Sequence, residues 1–118
     1  MSGLRFVVLR HDGVNDPHFD LMFETAPGRS LETWRSPSWP IEHPTRVVKL
    51  ADHRRAYLDF EGPVAGNRGT VARVASGTYH SQHSSAAHRE FHFAPNDRLL
   101  IRKLTDPSGT EYWEAVPI

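Results

Sequence analysis

Apolar and polar residues alternate in short bursts along this chain, and Gly, Pro and Asp/Asn clusters punctuate them. The clearest burst is His18-Phe19-Asp20-Leu21-Met22-Phe23-Glu24. Read as a strand, it places His18, Asp20, Met22 and Glu24 on one face and Phe19, Leu21 and Phe23 on the other. One face is then core and the other a site. The same pattern predicts strands near Leu4–Arg10, Phe19–Glu24, Ser30–Trp34, Arg46–Ala51, Gly69–Ala75, Glu90–Ala94, Leu99–Leu104 and Glu111–Val116. Ala26-Pro27-Gly28, Pro95-Asn96-Asp97 and Asp106-Pro107-Ser108-Gly109 read as tight turns. Eight short strands joined this closely predict a mainly β fold, a small closed or nearly closed antiparallel barrel with one or two short helical turns. Residues 1–118 read as a single domain with one modest core.

Three segments depart from the alternation. Ser36 to Pro44 is too rich in Pro for regular structure and is expected to cross the surface. Asp52–Leu58 reads as a short helical turn capped by Asp52, with His53 in its first turn. Ser81–His88 is small and polar, and reads as a mobile loop.

Composition narrows the chemistry. There is no Cys, so disulfides, thiolate catalysis and Cys-based zinc sites are excluded. No apolar stretch approaches the length of a membrane span, and Phe6-Val7-Val8-Leu9 stops at Arg10-His11, too soon for a signal peptide. A cytoplasmic protein without membrane partners is the expectation. With 14 basic and 14 acidic residues the formal net charge is zero, which argues against a broad basic field for nucleic acid. A local patch is still compatible: Lys occurs only at 49 and 103, and Arg forks onto phosphate oxygens better than Lys. Eight His is the compositional anomaly.

Three imidazoles and a carboxylate, His11, His18, Asp20 and His53, make a candidate divalent-metal site of nitrogen and oxygen donors. The plain alternative is a set of surface histidines in a His-rich chain. His80, His83, His88 and His92 read as solvated, with His92 pointing away from the core between Phe91 and Phe93. Of the tryptophans, Trp113 belongs to a closing strand, while Trp39, between Ser and Pro, is the more exposed candidate for stacking on a base. Arg54-Arg55 beside His53 reads either as a phosphate contact or as a solvated face. No Gly-x-Ser-x-Gly elbow occurs, and Gly62–Gly69 lacks the Lys-Ser/Thr of a phosphate-cradling loop.

In order along the chain, these residues resemble the 3′-phosphoesterase domain of bacterial DNA ligase D. Phe6-Val7-Val8-Leu9-Arg10-His11 and His18-Phe19-Asp20 match its opening motifs, and Trp34-Arg35-Ser36-Pro37-Ser38-Trp39-Pro40 matches its Trp-x-x-Pro-Lys-Gly-Pro. Asp52-His53, Tyr57 and Asp59-Phe60-Glu61-Gly62 carry the most specific piece, followed by Gly69-Thr70-Val71 and Gly77-Thr78-Tyr79. The resemblance implies a metal on His11, His18 and Asp20, with manganese first and zinc or cobalt as alternatives. It places His53 and Tyr57 at the phosphate or the catalytic centre and suggests Arg46 as a phosphate contact, to which Arg54 is added from its place beside His53. It also implies removal of a 3′-terminal ribonucleotide or 3′-phosphate from a nucleic-acid 3′ end, beside DNA ligase and polymerase partners. Two family phosphate contacts are replaced, an Arg by Met22 and a Lys by Ser38. Met donates no hydrogen bond and Ser is short and neutral. The metal set is kept and the clamp is dismantled, unless Arg10, Arg35, Arg46, Arg54 or Arg55 replaces it. The other readings are a phosphodiesterase for a smaller substrate, or a non-catalytic barrel that binds metal, nucleic acid or a repair partner.

Overall fold

The computed structural model describes residues 3–93 and 97–118, and at 82 and 83 the backbone alone. Its strands are β1 (Leu4–Asp12), β2 (His18–Glu24), β3 (Leu31–Ser36), β4 (Thr45–His53), β5 (Gly62–Pro63), β6 (Thr70–Ser85), β7 (His88–Phe93), β8 (Asp97–Thr105) and β9 (Glu111–Pro117). Eight of them pair in the order β1-β2-β3-β4-β9-β8-β7-β6, and β6 returns to β1 to close an antiparallel barrel. The two-residue β5 adds to the start of β6, and one 3₁₀ turn spans Arg55–Leu58. The predicted mainly β barrel is therefore the fold.

Closure depends on the length of β6. Its first part pairs with β1, from Asp12↔Thr70 to Leu4↔Tyr79, and its second part pairs with β7 from Tyr79↔Phe93 onward. The strand predicted over Gly69–Ala75 thus runs on to Ser85, through most of the segment read as a mobile loop. Ser81 and Gln82 offer no apolar alternation to mark a strand, but their backbones pair with Phe91 and Glu90. Backbone hydrogen bonding needs no hydrophobic pattern when both faces are wet. The helical turn is likewise shorter than predicted. Backbone pairing of Leu31 with His53 keeps Asp52 and His53 extended in β4, and Arg54 caps the turn without a side-chain hydrogen bond. Asp52 instead accepts from Ser30 Oγ at 3.2 Å and lies 3.7 Å from Lys49 Nζ. Trp39 is half-buried against the barrel core rather than exposed. The Pro95-Asn96 part of one predicted turn lies outside the described residues.

Two apolar layers sandwich the β1–β2 wall. Inside the barrel, Phe6, Val8, Leu21, Phe23, Trp34, Tyr79 and Phe91 pack together, with the Phe23 and Phe91 rings stacked 3.8 Å apart. Outside it, Val7, Leu9, Met22, Leu31 and Val71 pack under Leu58, roofed by Tyr57, Phe60 and Val64. Consecutive residues Val7, Val8 and Leu9 are consequently all fully buried. Each such side chain stabilises the fold by about 1.5–3 kcal/mol. The outer layer positions the site, because it fixes the 57–64 segment over the face of β2 that carries His18, Asp20 and Met22.

Candidate metal centre

Strand register builds the centre. His11 of β1 lies directly across from His18 of β2, and their rings meet edge to face with centroids 4.9 Å apart. Asp20, two residues on, shares the His18 face. One ligand atom from each of His11, His18 and Asp20 lies within 4.8 Å of the others. His11 Nδ1 is 3.8 Å from Asp20 Oδ2, and His18 Nε2 is 3.4 Å from Asp20 Oδ1.

Backbone carbonyls fix the tautomers. A carbonyl only accepts, so His11 Nε2–H donates to the Arg68 carbonyl and His18 Nδ1–H donates to the Asp16 carbonyl, each at 2.7 Å. A neutral imidazole then carries its lone pair on the other nitrogen: Nδ1 of His11 and Nε2 of His18. These are the two atoms facing the Asp20 carboxylate. His18 and Asp20 are 6% and 5% exposed, and neither His18 Nε2 nor Asp20 Oδ1 finds a hydrogen-bond partner among the described residues. Lone pairs converging on lone pairs in a buried place need a proton or a cation between them. Ligands about 2.1 Å from one ion lie roughly 3–3.4 Å apart, which the 3.4 Å between His18 and Asp20 matches and the 3.8 Å between His11 and Asp20 exceeds. Two imidazoles and a carboxylate suit manganese, iron, cobalt or zinc, and the carbonyl-anchored second nitrogens are the usual support for metal-bound His. The residues fit a divalent metal.

Beside these ligands opens a cavity of about 120 Å³, lined by His11, Asp20, Met22, Arg35, His53, Tyr57, Arg68 and two valines. Arg35 lies directly across from Asp20 in the β2–β3 pair, and its Nε is buried without a hydrogen-bond partner among the described residues. Arg68 comes from the loop between β5 and β6. Its Nε donates to the Ala65 carbonyl at 2.7 Å, which holds the guanidinium while leaving its amino groups for a ligand. His53, at the end of β4, donates from Nδ1 to the Ala51 carbonyl at 3.0 Å, so Nε2 is left to exchange protons. The His53 and Tyr57 rings are 5.8 Å apart.

Tyr57 is presented by the 3₁₀ turn, which β2 itself secures. Arg55 donates to the Glu24 carboxylate, and the Arg5 backbone N–H donates to its other oxygen at 3.0 Å. Burial pushes the Glu24 carboxyl up, but the Arg55 hydrogen bond, the Arg5 N–H and both positive charges outweigh it and hold it below its ordinary value. Tyr79 donates to the Glu24 carbonyl; burial, then the Glu32 and Glu24 charges, raise its hydroxyl far above the usual range.

The structure therefore brings together His11, His18, Asp20, His53 and Tyr57, and separates them from Arg46. The Arg46 guanidinium lies 3.9 Å over the Tyr112 ring, and the residue does not line the cavity. Arg54 lines a neighbouring pocket instead. Arg68 was missed in the sequence, where only its place in a Gly-rich loop that lacks phosphate-loop residues drew notice. His88 and His92 flank Glu90 at 3.9 and 2.6 Å, His80 is exposed, and the His83 side chain lies outside the described residues. No family model matches this chain, and no curated protein matches it.

Proposed function

We propose that this barrel is a divalent-metal-dependent phosphoesterase acting at nucleic-acid 3′ ends, with manganese as the first-choice ion. The observation that carries the reading is the buried, unsatisfied pair His18 Nε2 and Asp20 Oδ1 beside a cavity that Asp20 itself lines with His11 and two arginines, and with no other carboxylate among the described residues that line it. A bound metal there supplies Lewis acidity toward a phosphoryl oxygen and acidifies a water. Arg35 and Arg68 bind the other phosphate oxygens, which offsets the loss of donors at Met22 and Ser38. The Tyr57 hydroxyl donates to the phosphoryl group. His53, held by Ala51, delivers a proton from Nε2 to the leaving oxygen as the ester P–O bond breaks and water's oxygen bonds to phosphorus, and the proton that the water gives up restores Nε2. The ordered match to the DNA ligase D phosphoesterase motifs supports a 3′-phosphate or 3′-terminal ribonucleotide as the group removed.

The test is manganese-dependent processing of a primer-template carrying a 3′-phosphate or one 3′-terminal ribonucleotide, with His18→Ala in parallel. Conversion to a 3′-hydroxyl that the variant lacks is the expected result. A metal-loaded protein that yields no product from either substrate overturns the 3′-end assignment.

A further inference from the structure

A second pocket, of about 190 Å³, adjoins the first and shares Tyr57, Val64 and Arg68 with it. Its remaining walls include Phe60, Pro63 and Arg54. The Tyr57 and Phe60 rings stand at 90° with centroids 5.8 Å apart, so the pocket has an aromatic corner. Among the described residues, none that lines it is acidic. Aromatic faces, a proline and guanidinium planes are surfaces on which a flat ring stacks, and guanidinium adds attraction to a ring's π face. The size suits one ring system rather than a whole nucleotide.

We infer that this pocket is the base subsite of the enzyme: the nucleobase attached to the scissile phosphoester lies against Phe60 and Pro63 while its phosphate occupies the Arg35–Arg68 cavity. This rests on the phosphoesterase reading and specifies its substrate as a base-bearing phosphoester, not any small phosphate. The common wall explains the pairing of the two pockets. The loop is closed by Val64 N–H to the Gly69 carbonyl at 2.8 Å, and its Arg68 carbonyl accepts from the metal ligand His11. One loop thus serves a metal ligand on one side and the ring pocket on the other. Placement of the phosphate at the metal puts its ester substituent at the Tyr57–Val64–Arg68 boundary.

The experiment is calorimetric titration of manganese-loaded protein with two uncleavable probes. One is 3′-deoxy-3′-(phosphonomethyl)adenosine, in which a methylene replaces the ester oxygen; the other is the same sugar phosphonate without adenine. The expected result is about tenfold tighter binding of the adenine-bearing probe. Phe60→Leu, which keeps an apolar side chain but removes the ring, is expected to erase most of that preference. Equal affinity of the native protein for both probes overturns the base subsite and leaves the phosphoesterase reading standing. Preference that survives both Phe60→Leu and Arg54→Gln overturns its location. Failure of both probes to bind removes both readings together.

Discussion

Arg55 donates to the Glu24 carboxylate across the outer wall of the barrel, so the strand that carries His18 and Asp20 also holds the turn that carries Tyr57. The candidate metal ligands His18 and Asp20 and the proposed catalytic Tyr57 are thereby fixed to one rigid element, which a site of this size requires.

That pairing gives a pH signature. Glu24 is held below its ordinary value, near 4.5, so its contribution to stability is complete above that pH and is lost as pH falls through the lowered folded value. Glu24→Gln is expected to cost about 2 kcal/mol at pH 6, because Arg55 loses its charged partner and a buried hydrogen-bond arrangement is disturbed. The difference between native and variant should shrink as pH is lowered from 6 toward 3. Urea unfolding across that range checks it, and a constant difference would show that Glu24 is not the linked group.

The loop between β5 and β6 should be intolerant at Gly69. Its φ is +78°, and a Cβ there meets the Asp12 carbonyl oxygen at 2.2 Å. Ala at a left-handed position costs about 1–2 kcal/mol before any clash. Relief of the clash must shift the neighbouring Arg68 carbonyl that orients His11. Gly69→Ala is therefore expected to lower stability and to weaken metal affinity about tenfold, the size of effect seen when a ligand's outer partner is lost. Thermal unfolding and metal titration report the two effects separately.

Much of this was legible from period-two alternation. The faces of β2 follow directly from His18 through Glu24, and His-x-Asp on one face needs no tertiary information. The barrel follows from short strands and tight turns. Arg35 was available only as one of five arginines, because its position beside Asp20 depends on the β2–β3 register. Arg68 sits in a loop whose path is set by His11 and Gly69, which no local pattern encodes. Strand length keeps Arg46 from the cavity: it lies seven residues before His53 on β4, about 23 Å away along an extended chain. Ser81–His88 failed as a loop because a strand wet on both faces leaves no hydrophobic trace.

The same distance separates the arginines functionally. Arg35→Ala or Arg68→Ala is expected to lower kcat/KM by about 10–100-fold through lost phosphate contacts, with metal affinity retained. Arg46→Ala removes stacking on Tyr112 and a positive charge that acts on Asp106, and is expected to leave kcat/KM within about twofold, at a stability cost of about 0.5–1 kcal/mol. Steady-state kinetics on the three variants decides between the cavity and the sequence alignment as the guide to the phosphate site.

Asp20→Asn separates a metal site from an ordinary ion-pair cluster. If protonated His11 and His18 were simply paired with Asp20, removal of the carboxylate charge would leave two buried cations and destabilise the metal-free protein. With the tautomers set by the Asp16 and Arg68 carbonyls, His18 Nε2 presents a lone pair to Asp20 Oδ1 at 3.4 Å. An amide N–H at that position donates to it and satisfies a buried acceptor, worth about 1 kcal/mol. The metal-free Asn variant is thus expected to be more stable than the native protein in the presence of chelator. It should also lose the stabilisation that manganese gives the native chain, about 2.7 kcal/mol at a hundredfold excess over Kd. Chemical denaturation of both proteins, with chelator and with manganese, measures all four values. A destabilised Asn variant in chelator would point to protonated imidazoles and against a site built for a cation.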